Sequence, residues 1–191
     1  MGGGAAGARG PEGTPGALGT PRSERPETVN EFDTMLPDSL RDRAVAVAVA
    51  DFDSDAVTGG KCDRGELTLE IAPGKIASVC GFLKYDRKFV RLSTVTAVDR
   101  FPTEPRFEVV YHLHNIEHNE RVRLKCRLRG IDPAIESVTG VWRGADWYER
   151  EVFDLFGIRF VNHPDLRRIM LPDEWEGHPL RKDYPITGSR V

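Results

Sequence analysis

The sequence predicts a two-layer α+β domain with a mixed sheet of about five strands, helices on one face and an extended C-terminal tail. Several segments carry apolar side chains at every second residue, which indicates half-buried strands. Two others carry them at helical spacing. The last part of the chain repeats proline too often for another long helix or central strand. This combination is typical of a sheet with one side under helices and the other in water.

The composition fits one soluble globular domain with extensions. The chain has 191 residues, of which 39% are hydrophobic and 30% are charged, as in ordinary globular proteins. A net charge of −3 favours neither nucleic acid nor an acidic ligand as the partner. The three cysteines are widely spaced, so no disulfide framework is expected and a reducing compartment fits.

The two ends of the chain differ from its middle. Residues 1–28 are dominated by glycine, proline and alanine, and they are predicted to form a disordered extension. They lack the apolar core of a signal peptide, and no later run approaches the ~18 apolar residues of a membrane span. We therefore expect a cytoplasmic protein whose membrane contact is indirect. Residues 29–157 are predicted to form the core domain, and residues 158–191 a docking tail.

The first part of the core is predicted to hold one short helix and two strands. Residues 36–43 suit a short helix. Ala44–Phe52 is expected to form a strand, because valines alternate along it. Residues 58–60 read Thr-Gly-Gly and indicate a turn or loop. Glu66–Ile71 alternates again and predicts the second strand.

The second part of the core is predicted to hold a helix, three strands and a final helix. Pro73 favours a helix start, and apolar positions continue at helical spacing to about residue 85. Residues 90–98 predict the third strand. Residues 106–116 and 121–128 predict a pair of alternating strands joined by a short turn. Ala145–Phe156 is predicted to form the last helix.

Sequence motifs for several common chemistries are absent. No glycine-rich phosphate loop joins a strand to a helix, no cysteine pair has metal-ligand spacing, and no serine lies in a nucleophile elbow. The sequence therefore predicts no nucleotide site, no iron–sulfur cluster or structural zinc, and no serine hydrolase.

Three histidines offer a metal-site hypothesis. His112 and His114 share one face of a predicted strand and His118 lies in the following turn, so three imidazoles could converge in a stand-alone metal-dependent hydrolase. We favour the alternative that they occupy the solvent side of a hairpin, because strand spacing alone fixes no tetrahedral geometry. Stoichiometric zinc or iron in the purified protein would support the hydrolase.

Five basic residues follow one face of the next predicted strand: Arg121, Arg123, Lys125, Arg127 and Arg129. Such a strip could form a nucleic-acid groove in an RNA-binding module. However, no aromatic side chains are interleaved with it and the whole chain is acidic. We favour a solvated or partner-facing strip, since charge also discourages sheet aggregation.

The last predicted helix combines an apolar stripe with several carboxylates. Apolar side chains recur at i, i+4, i+7 and i+8 from Tyr148, and Gly157 suits a left-handed helix stop. The carboxylates belong to Glu149, Glu151 and Asp154. Paired carboxylates can act as general acid and base. We favour ion pairs between them and arginines of the tail or of a neighbouring chain.

The tail carries large apolar residues, in which a disordered segment would be depleted. These anchors are Phe160, Leu166, Ile169, Met170, Leu171, Trp175, Leu180, Tyr184 and Ile186. The charges among them are nearly balanced, as at a specific polar interface. A segment that cannot fold on itself but carries such anchors is expected to find its core on another protein.

Motifs along the second half of the chain form a recognisable pattern. It begins with Glu149-Arg150-Glu151, continues with Asp154-Leu155-Phe156, His163 and Arg167, and runs almost throughout residues 172–185 (PDEWEGHPLRKDYP). Parts of residues 92–99 and residues 107–113 belong to it as well. This pattern resembles the thirty-kilodalton subunit family of respiratory complex I, the NADH–quinone oxidoreductase subunits designated C. The resemblance covers roughly residues 64–188, whereas residues 27–63 match loosely and the Gly/Pro-rich start has no family counterpart.

The resemblance implies a non-redox, peripheral-arm subunit of a proton-translocating enzyme. It implies that FMN and iron–sulfur clusters are bound by partner subunits and no cofactor by this chain. The chain would then scaffold the quinone-site subunit on the cytoplasmic side of a bacterial cell membrane, without nucleic acid. The residues expected at the partner interface are Glu149, Arg150, Glu151, Asp154, His163, Asp165, Arg167, Arg168, Trp175, His178, Arg181, Lys182, Asp183 and Tyr184.

Overall fold

The computed structural model describes Met1 and residues 37–185. The elements in chain order are α1 (Asp38–Arg41), α2 (Ala44–Phe52), β1 (Val57–Asp63), β2 (Glu66–Ile71), a 3-10 turn (Pro73–Lys75) leading into α3 (Ile76–Tyr85), β3 (Arg91–Asp99), β4 (Phe107–Asn115), β5 (Glu120–Leu128), β6 (Ala134–Glu136), α4 (Ala145–Phe156) and β7 (Arg159–Val161). The predicted disordered extension lies outside the described residues.

Five strands form one mixed sheet in the order β1-β2-β5-β4-β3. The central pair β2 and β5 is parallel, and the remaining neighbours are antiparallel. Every second residue of the sheet points into one core beneath the helices; Leu69, Tyr111 and Leu124 have no exposed surface there. The opposite face carries charged and polar side chains. The predicted two-layer α+β architecture is confirmed.

The predicted strand at Ala44–Phe52 is wrong, because these residues form helix α2. The residues buried in it are Val45, Ala46, Val49 and Ala50, which lie at helical and not at alternating positions. Alanine is the strongest helix former, and burial of one face outweighs the slightly lower helix propensity of valine. The alternation of alanine with valine therefore carried no reliable strand signal.

The predicted turn at residues 58–60 is also wrong, because these residues lie inside strand β1. The register between β1 and β2 shifts between Val57 and Gly59, as in a β-bulge. A Cβ atom at Gly60 would lie 2.5 Å from the carbonyl oxygen of Thr68 and 2.8 Å from Leu40 Cδ1. Glycine is required here for close approach between strand and helix, and not for a turn.

Two short strands complete the described fold. Strands β6 and β7 pair in parallel as a separate two-stranded sheet. Ile158 and Phe160 are 0% and 2% exposed and belong to the core. Residues 158–161 therefore pack with the domain, and we call residues 162–185 the C-terminal segment. Three residues per strand are too few for an alternation signal to appear in the sequence.

Among the described residues, no helix has the length and apolar character needed to cross a membrane.

Candidate functional site

Helix α4 ends where the C-terminal segment crosses it. The helix runs from Ala145 to Phe156, as predicted, and Gly157 follows in the left-handed conformation with φ 69°. Val152 and Phe156, which belong to the apolar stripe, are buried. Asp154, near the end of the helix, has no exposed surface. A buried carboxylate requires donors, and the C-terminal segment supplies them.

The Asp154 carboxylate organises one turn of the C-terminal segment. Its Oδ2 accepts the backbone N–H groups of three successive residues, 169, 170 and 171, at 2.9, 2.8 and 3.0 Å. Its Oδ1 accepts a hydrogen bond from Arg168 Nη1 at 2.5 Å. Arg168 also donates to the carbonyl oxygens of Trp175 and Gly177 at 2.8 and 3.1 Å. Charge-assisted hydrogen bonds of this kind hold the segment in one conformation.

The segment also caps the C-terminal end of α4, where helix carbonyls lack intrahelical donors. His178 Nδ1 donates to the Asp154 carbonyl oxygen at 2.8 Å, and the Leu180 N–H donates to the Leu155 carbonyl oxygen at 3.1 Å. Arg181 Nε donates to the Phe156 carbonyl at 2.6 Å. A cation at this end also interacts favourably with the helix dipole. A Cβ atom at Gly157 would collide with the His178 and Arg181 side chains.

A second polar cluster joins the segment to the β3–β4 hairpin. Arg106 donates to both oxygens of Asp99, at 3.0 and 2.8 Å, and to both oxygens of Asp183, at 2.9 and 2.6 Å. The Lys182 N–H adds a hydrogen bond to Asp99 at 2.8 Å. The guanidinium lies 4.9 Å from the Phe107 ring centroid. One arginine thus connects a buried carboxylate of the domain to an exposed carboxylate of the segment.

Hydrogen bonding keeps the two buried aspartates ionised. Burial raises the pKa of Asp99, but donors from Arg106, Lys182 and Phe101 outweigh it and hold this pKa at about 2. Burial likewise raises the pKa of Asp154, but its hydrogen bonds to residues 168–171 leave the pKa below its ordinary value. Both carboxylates therefore remain charged at neutral pH and act as fixed acceptors.

Glu149 lies one turn earlier on α4 in a different environment. It has no exposed surface, and its carboxylate accepts the Ser137 hydroxyl at 2.6 Å and the Val138 N–H at 2.7 Å. Burial raises the pKa of Glu149 to about 7, with the neighbouring Asp146 charge adding to the effect. Glu149 was expected at a partner interface. In the structure it is buried, and its hydrogen-bond partners belong to its own domain.

The remaining interface candidates divide into buried and exposed groups. Arg150 is 7% exposed and donates to the carbonyl oxygens of Arg167 and Arg168. Glu151 is exposed, and Asp165 forms an exposed ion pair with Arg167 at 2.9 Å. The His163 side chain has no exposed surface, and the Tyr184 ring is half-buried. The expected pairing of helix carboxylates with tail arginines is confirmed at one pair, that of Asp154 with Arg168.

Although the segment is held by polar contacts, its largest apolar side chains point to solvent. Met170 is 62% exposed, Leu180 50% and Trp175 39%. Leu166 packs in part against the core. Soluble proteins rarely leave several large apolar side chains exposed on one ordered segment without a partner. This exposure is the feature of the segment that intramolecular contacts leave unexplained.

The geometry argues against both alternative sites, the three-histidine metal site and the nucleic-acid groove. Among the described residues, no group of three or more His, Cys, Asp or Glu side chains is placed to hold a metal ion. His114 Nε2 lies 3.2 Å from Asn119 Oδ1 instead. Within the basic strip, three residues of β5 form ion pairs with neighbouring strands: Arg123 with Glu66, Lys125 with Glu108 and Arg127 with Glu70. Neither the hydrolase nor the RNA-binding hypothesis is supported.

Sequence reasoning missed Asp99, Arg106 and Ser137 as site residues. Asp99 ends β3 and Arg106 immediately precedes β4, so a hairpin places opposite charges near each other and could have indicated this pair. The approach of Asp183 to Arg106 spans 77 positions and left no local signal. The Ser137–Glu149 contact joins the residue after β6 to helix α4, and no local sequence pattern marks it.

The fold and these clusters define a class of protein: an α+β domain that holds a long C-terminal segment on its surface through buried carboxylates and leaves the apolar side chains of that segment exposed. The family model described as the respiratory-chain NADH dehydrogenase 30 Kd subunit matches residues 69–190. The chain belongs to this family. The match includes α4 and the whole C-terminal segment.

Individual relatives agree. The NADH-quinone oxidoreductase subunit designated C in Geobacter sulfurreducens is 50% identical over 126 residues, which is 65% of this chain and 78% of the relative. The subunit of the same designation in Roseiflexus sp. is 45% identical over 139 residues, or 72% of this chain and 80% of the relative. The mitochondrial NADH-ubiquinone oxidoreductase 30.4 kDa subunit of Neurospora crassa is 50% identical over 128 residues, or 65% of this chain and 44% of that longer protein.

Two solved structures share the fold. A trypsin-resistant fragment of Nqo5 aligns with a TM-score of 0.52 and 29% identity, covering 56% of this chain and 88% of the fragment. A chain of the membrane-bound sulfane sulfur reductase, an archaeal respiratory membrane complex, aligns with a TM-score of 0.62 and 29% identity, covering 74% of this chain and 84% of its own length.

Proposed function

We propose that this chain is a non-redox, peripheral-arm subunit of a proton-translocating NADH–quinone oxidoreductase and that it scaffolds the quinone-site subunit through its C-terminal segment. Electrons pass from NADH through FMN and iron–sulfur clusters on partner subunits to quinone, and this chain holds one of those partners in place. The observation that carries the docking role is the exposure of Met170, Trp175 and Leu180 on a segment that is itself fixed.

The contacts of the segment support a preformed docking surface. Asp154 and Arg106 tie the segment to the domain at two separate places. A segment held in this way loses little conformational entropy on binding, and this favours affinity. Large apolar side chains on such a surface match the anchors that dominate protein interfaces. The polar groups around them would supply orientation and specificity.

The absence of redox chemistry on this chain is part of the proposal. A purified full-length chain is expected to show no flavin and no iron–sulfur absorbance. Flavin or cluster absorbance in stoichiometric amount would contradict this part. The whole assembly is expected on the cytoplasmic side of the bacterial membrane, with this chain released by treatments that dissociate peripheral proteins. Protease protection in sealed vesicles of known orientation tests the side.

Affinity purification from membranes tests the docking role. A tagged full-length chain is expected to recover the quinone-site subunit, and a chain lacking residues 162–188 is expected to lose it while the domain remains folded. Full recovery of the quinone-site subunit by the truncated chain would contradict the docking role of the segment. Trp175→Ala should weaken recovery, since an interface anchor contributes about 2 kcal/mol or more.

A matched control comes from the opposite end of strand β4. Ile116 is 58% exposed in the β4–β5 turn, whereas the segment is tied to the end of the hairpin near Arg106. Ile116→Ala removes an exposed apolar side chain without touching the segment. Recovery of the quinone-site subunit should stay unchanged in this variant. Equal losses in both variants would show that Trp175 has no special part in docking.

A further inference from the structure

Glu149 occupies an unusual position among the carboxylates of this chain. Its side chain has no exposed surface, and no Lys or Arg nitrogen in the described part of the chain forms an ion pair with it. Two titratable side chains lie near it: Asp146 on the same helix and His163 after β7. Its charge also acts electrostatically on two buried groups of the core, Cys80 of α3 and Tyr111 of β4. A buried anion without a cationic partner is expensive to keep charged.

The His163 ring is oriented by its backbone neighbour. The Asp165 N–H donates to His163 Nδ1 at 3.1 Å, so the hydrogen of a neutral ring lies on Nε2. That nitrogen is 3.3 Å from Asp146 Oδ1 and 3.9 Å from Glu149 Oε2. With its hydrogen on Nε2, the neutral ring donates to the Asp146 backbone carbonyl oxygen at 3.4 Å, and the 3.9 Å to Glu149 is too long for a direct hydrogen bond.

The hydroxyl groups beside Glu149 satisfy both of its protonation states. When Glu149 is ionised, it accepts the Ser137 hydroxyl at 2.6 Å and the Val138 N–H at 2.7 Å. When it is protonated, it can donate to Ser137 Oγ, provided that Ser137 sends its own hydrogen elsewhere. Thr139 Oγ1 lies 2.8 Å from Ser137 Oγ and can accept that hydrogen. Thr139 is half-buried, whereas Glu149 has no exposed surface.

We propose that Glu149 is a reversible, buried proton-binding site, loaded and unloaded through the hydroxyl pair Ser137–Thr139. Proton exchange needs only rotation of two hydroxyl groups, because both protonation states keep full hydrogen bonding. Burial and the Asp146 charge place the pKa of Glu149 at about 7, so the site changes occupancy at neutral pH. The proposal concerns the chain itself and does not depend on its place in an assembly.

The proton should also stabilise the fold. Because the pKa of Glu149 is higher in the folded chain than the ordinary 4.5, the folded state binds the proton more tightly than the unfolded state. The resulting stability is fully present below about pH 4.5 and is lost as the pH rises to about 7. The ratio of folded to unfolded chain should fall on the order of 100-fold across this window from Glu149 alone.

Carbon-13 NMR of the purified full-length chain with labelled glutamate carboxyl groups tests the proposal. One glutamate resonance, assigned to Glu149, should titrate with a midpoint about two units above those of the exposed glutamates. Glu149→Gln should remove that resonance together with the fall in stability over about pH 5 to 7. Glu151→Gln, an exposed carboxylate on the same helix, should keep both. A midpoint for Glu149 in the range of the exposed glutamates would overturn the site.

Thr139→Val tests the hydroxyl pair separately. This variant leaves Ser137 without an acceptor for its hydrogen when Glu149 is protonated. The Glu149 midpoint should then move toward lower pH, with a loss of about tenfold in proton affinity. An unchanged midpoint in Thr139→Val would overturn the role of the pair. The wild-type resonance and this variant decide the matter even where Glu149→Gln fails to fold.

Discussion

The sheet–helix core and the C-terminal segment are held by opposite kinds of interaction. Inside the core, Tyr111, Leu124 and their neighbours are closed off from water by apolar packing. Along the segment, two charged clusters and the cap of α4 provide most of the contacts, while Met170 and Leu180 stay exposed. The core therefore buries its apolar groups within the chain, whereas the segment uses charge for attachment and leaves its apolar groups available.

A folded domain can therefore carry an ordered surface segment that is free to contact another protein. Hydrophobic burial is non-directional and would not fix a proline-rich segment in one conformation. Buried carboxylates with several donors are directional, and losing one donor is costly. Asp154 and Arg106 therefore attach the segment to the domain while Met170 and Leu180 stay exposed.

The largest expected effect comes from the same substitution made in both regions. Leu124→Ala removes a fully buried side chain from the centre of the sheet and should destabilise the chain by about 3 kcal/mol, or on the order of 10 °C in Tm. Leu180→Ala removes a half-exposed side chain and should change stability by less than about 0.5 kcal/mol. Thermal unfolding followed by circular dichroism measures both. Equal losses would break the proposed contrast.

The next effect should be confined to the segment. Asp154→Ala leaves three backbone N–H groups and Arg168 without their acceptor. The attachment should weaken by about 3 kcal/mol, so that trypsin cleaves after Arg167 and Arg168 much faster while the core stays intact. Glu151→Ala, an exposed carboxylate on the same helix, is the matched control. Unchanged cleavage in Asp154→Ala would show that the carboxylate does not hold the segment.

A smaller effect concerns stability in acid. The pKa of Asp99 is about 2 in the folded chain, below its ordinary 3.8, so the stability it contributes is present above about pH 4 and is lost as pH falls toward 2. The loss should amount to about 2 kcal/mol. Urea unfolding at several pH values measures it. Asp99→Asn should flatten the profile in this window, and Asp132→Asn, an exposed control, should not.

The smallest expected effect on the chain alone comes from Trp175→Ala. The side chain is 39% exposed on the segment, so the melting temperature of the isolated chain should move by no more than about 2 °C. The same variant should weaken binding to the quinone-site subunit. A large drop in melting temperature would mean that Trp175 belongs to the fold of this chain and not to a docking surface.

Local patterns predicted most of the sheet but misassigned its first part. The alternation in β2, β4 and β5 was a reliable signal, because one face of each strand packs its apolar side chains into the core, while charged and polar side chains dominate the other face. Ala44–Phe52 shows the same alternation yet forms α2. Alternating alanine with valine does not separate polar from apolar faces, so tertiary packing decided between helix and strand.

The candidate site was predictable in residue type but not in geometry. The acidic helix and the charged tail indicated that Asp154 and Arg168 would matter, and these two do pair. The sequence had no means of showing that Glu149 faces Ser137, or that Asp183 reaches Arg106. Such contacts join residues from distant parts of the chain and depend on how β7 and the segment cross the domain.

The α+β class, the limits of α4, the family and a C-terminal segment rich in proline and apolar anchors can all be inferred from the sequence, because periodicity, chain breakers and long motifs are local properties. Which charges are buried depends on how distant parts of the chain pack together. Asp154 and Glu149 are both acidic residues of one helix, yet the pKa of the first is lowered and that of the second is raised. The physical reason is that a pKa depends on the donors and the solvent around a carboxylate, and folding alone brings those together.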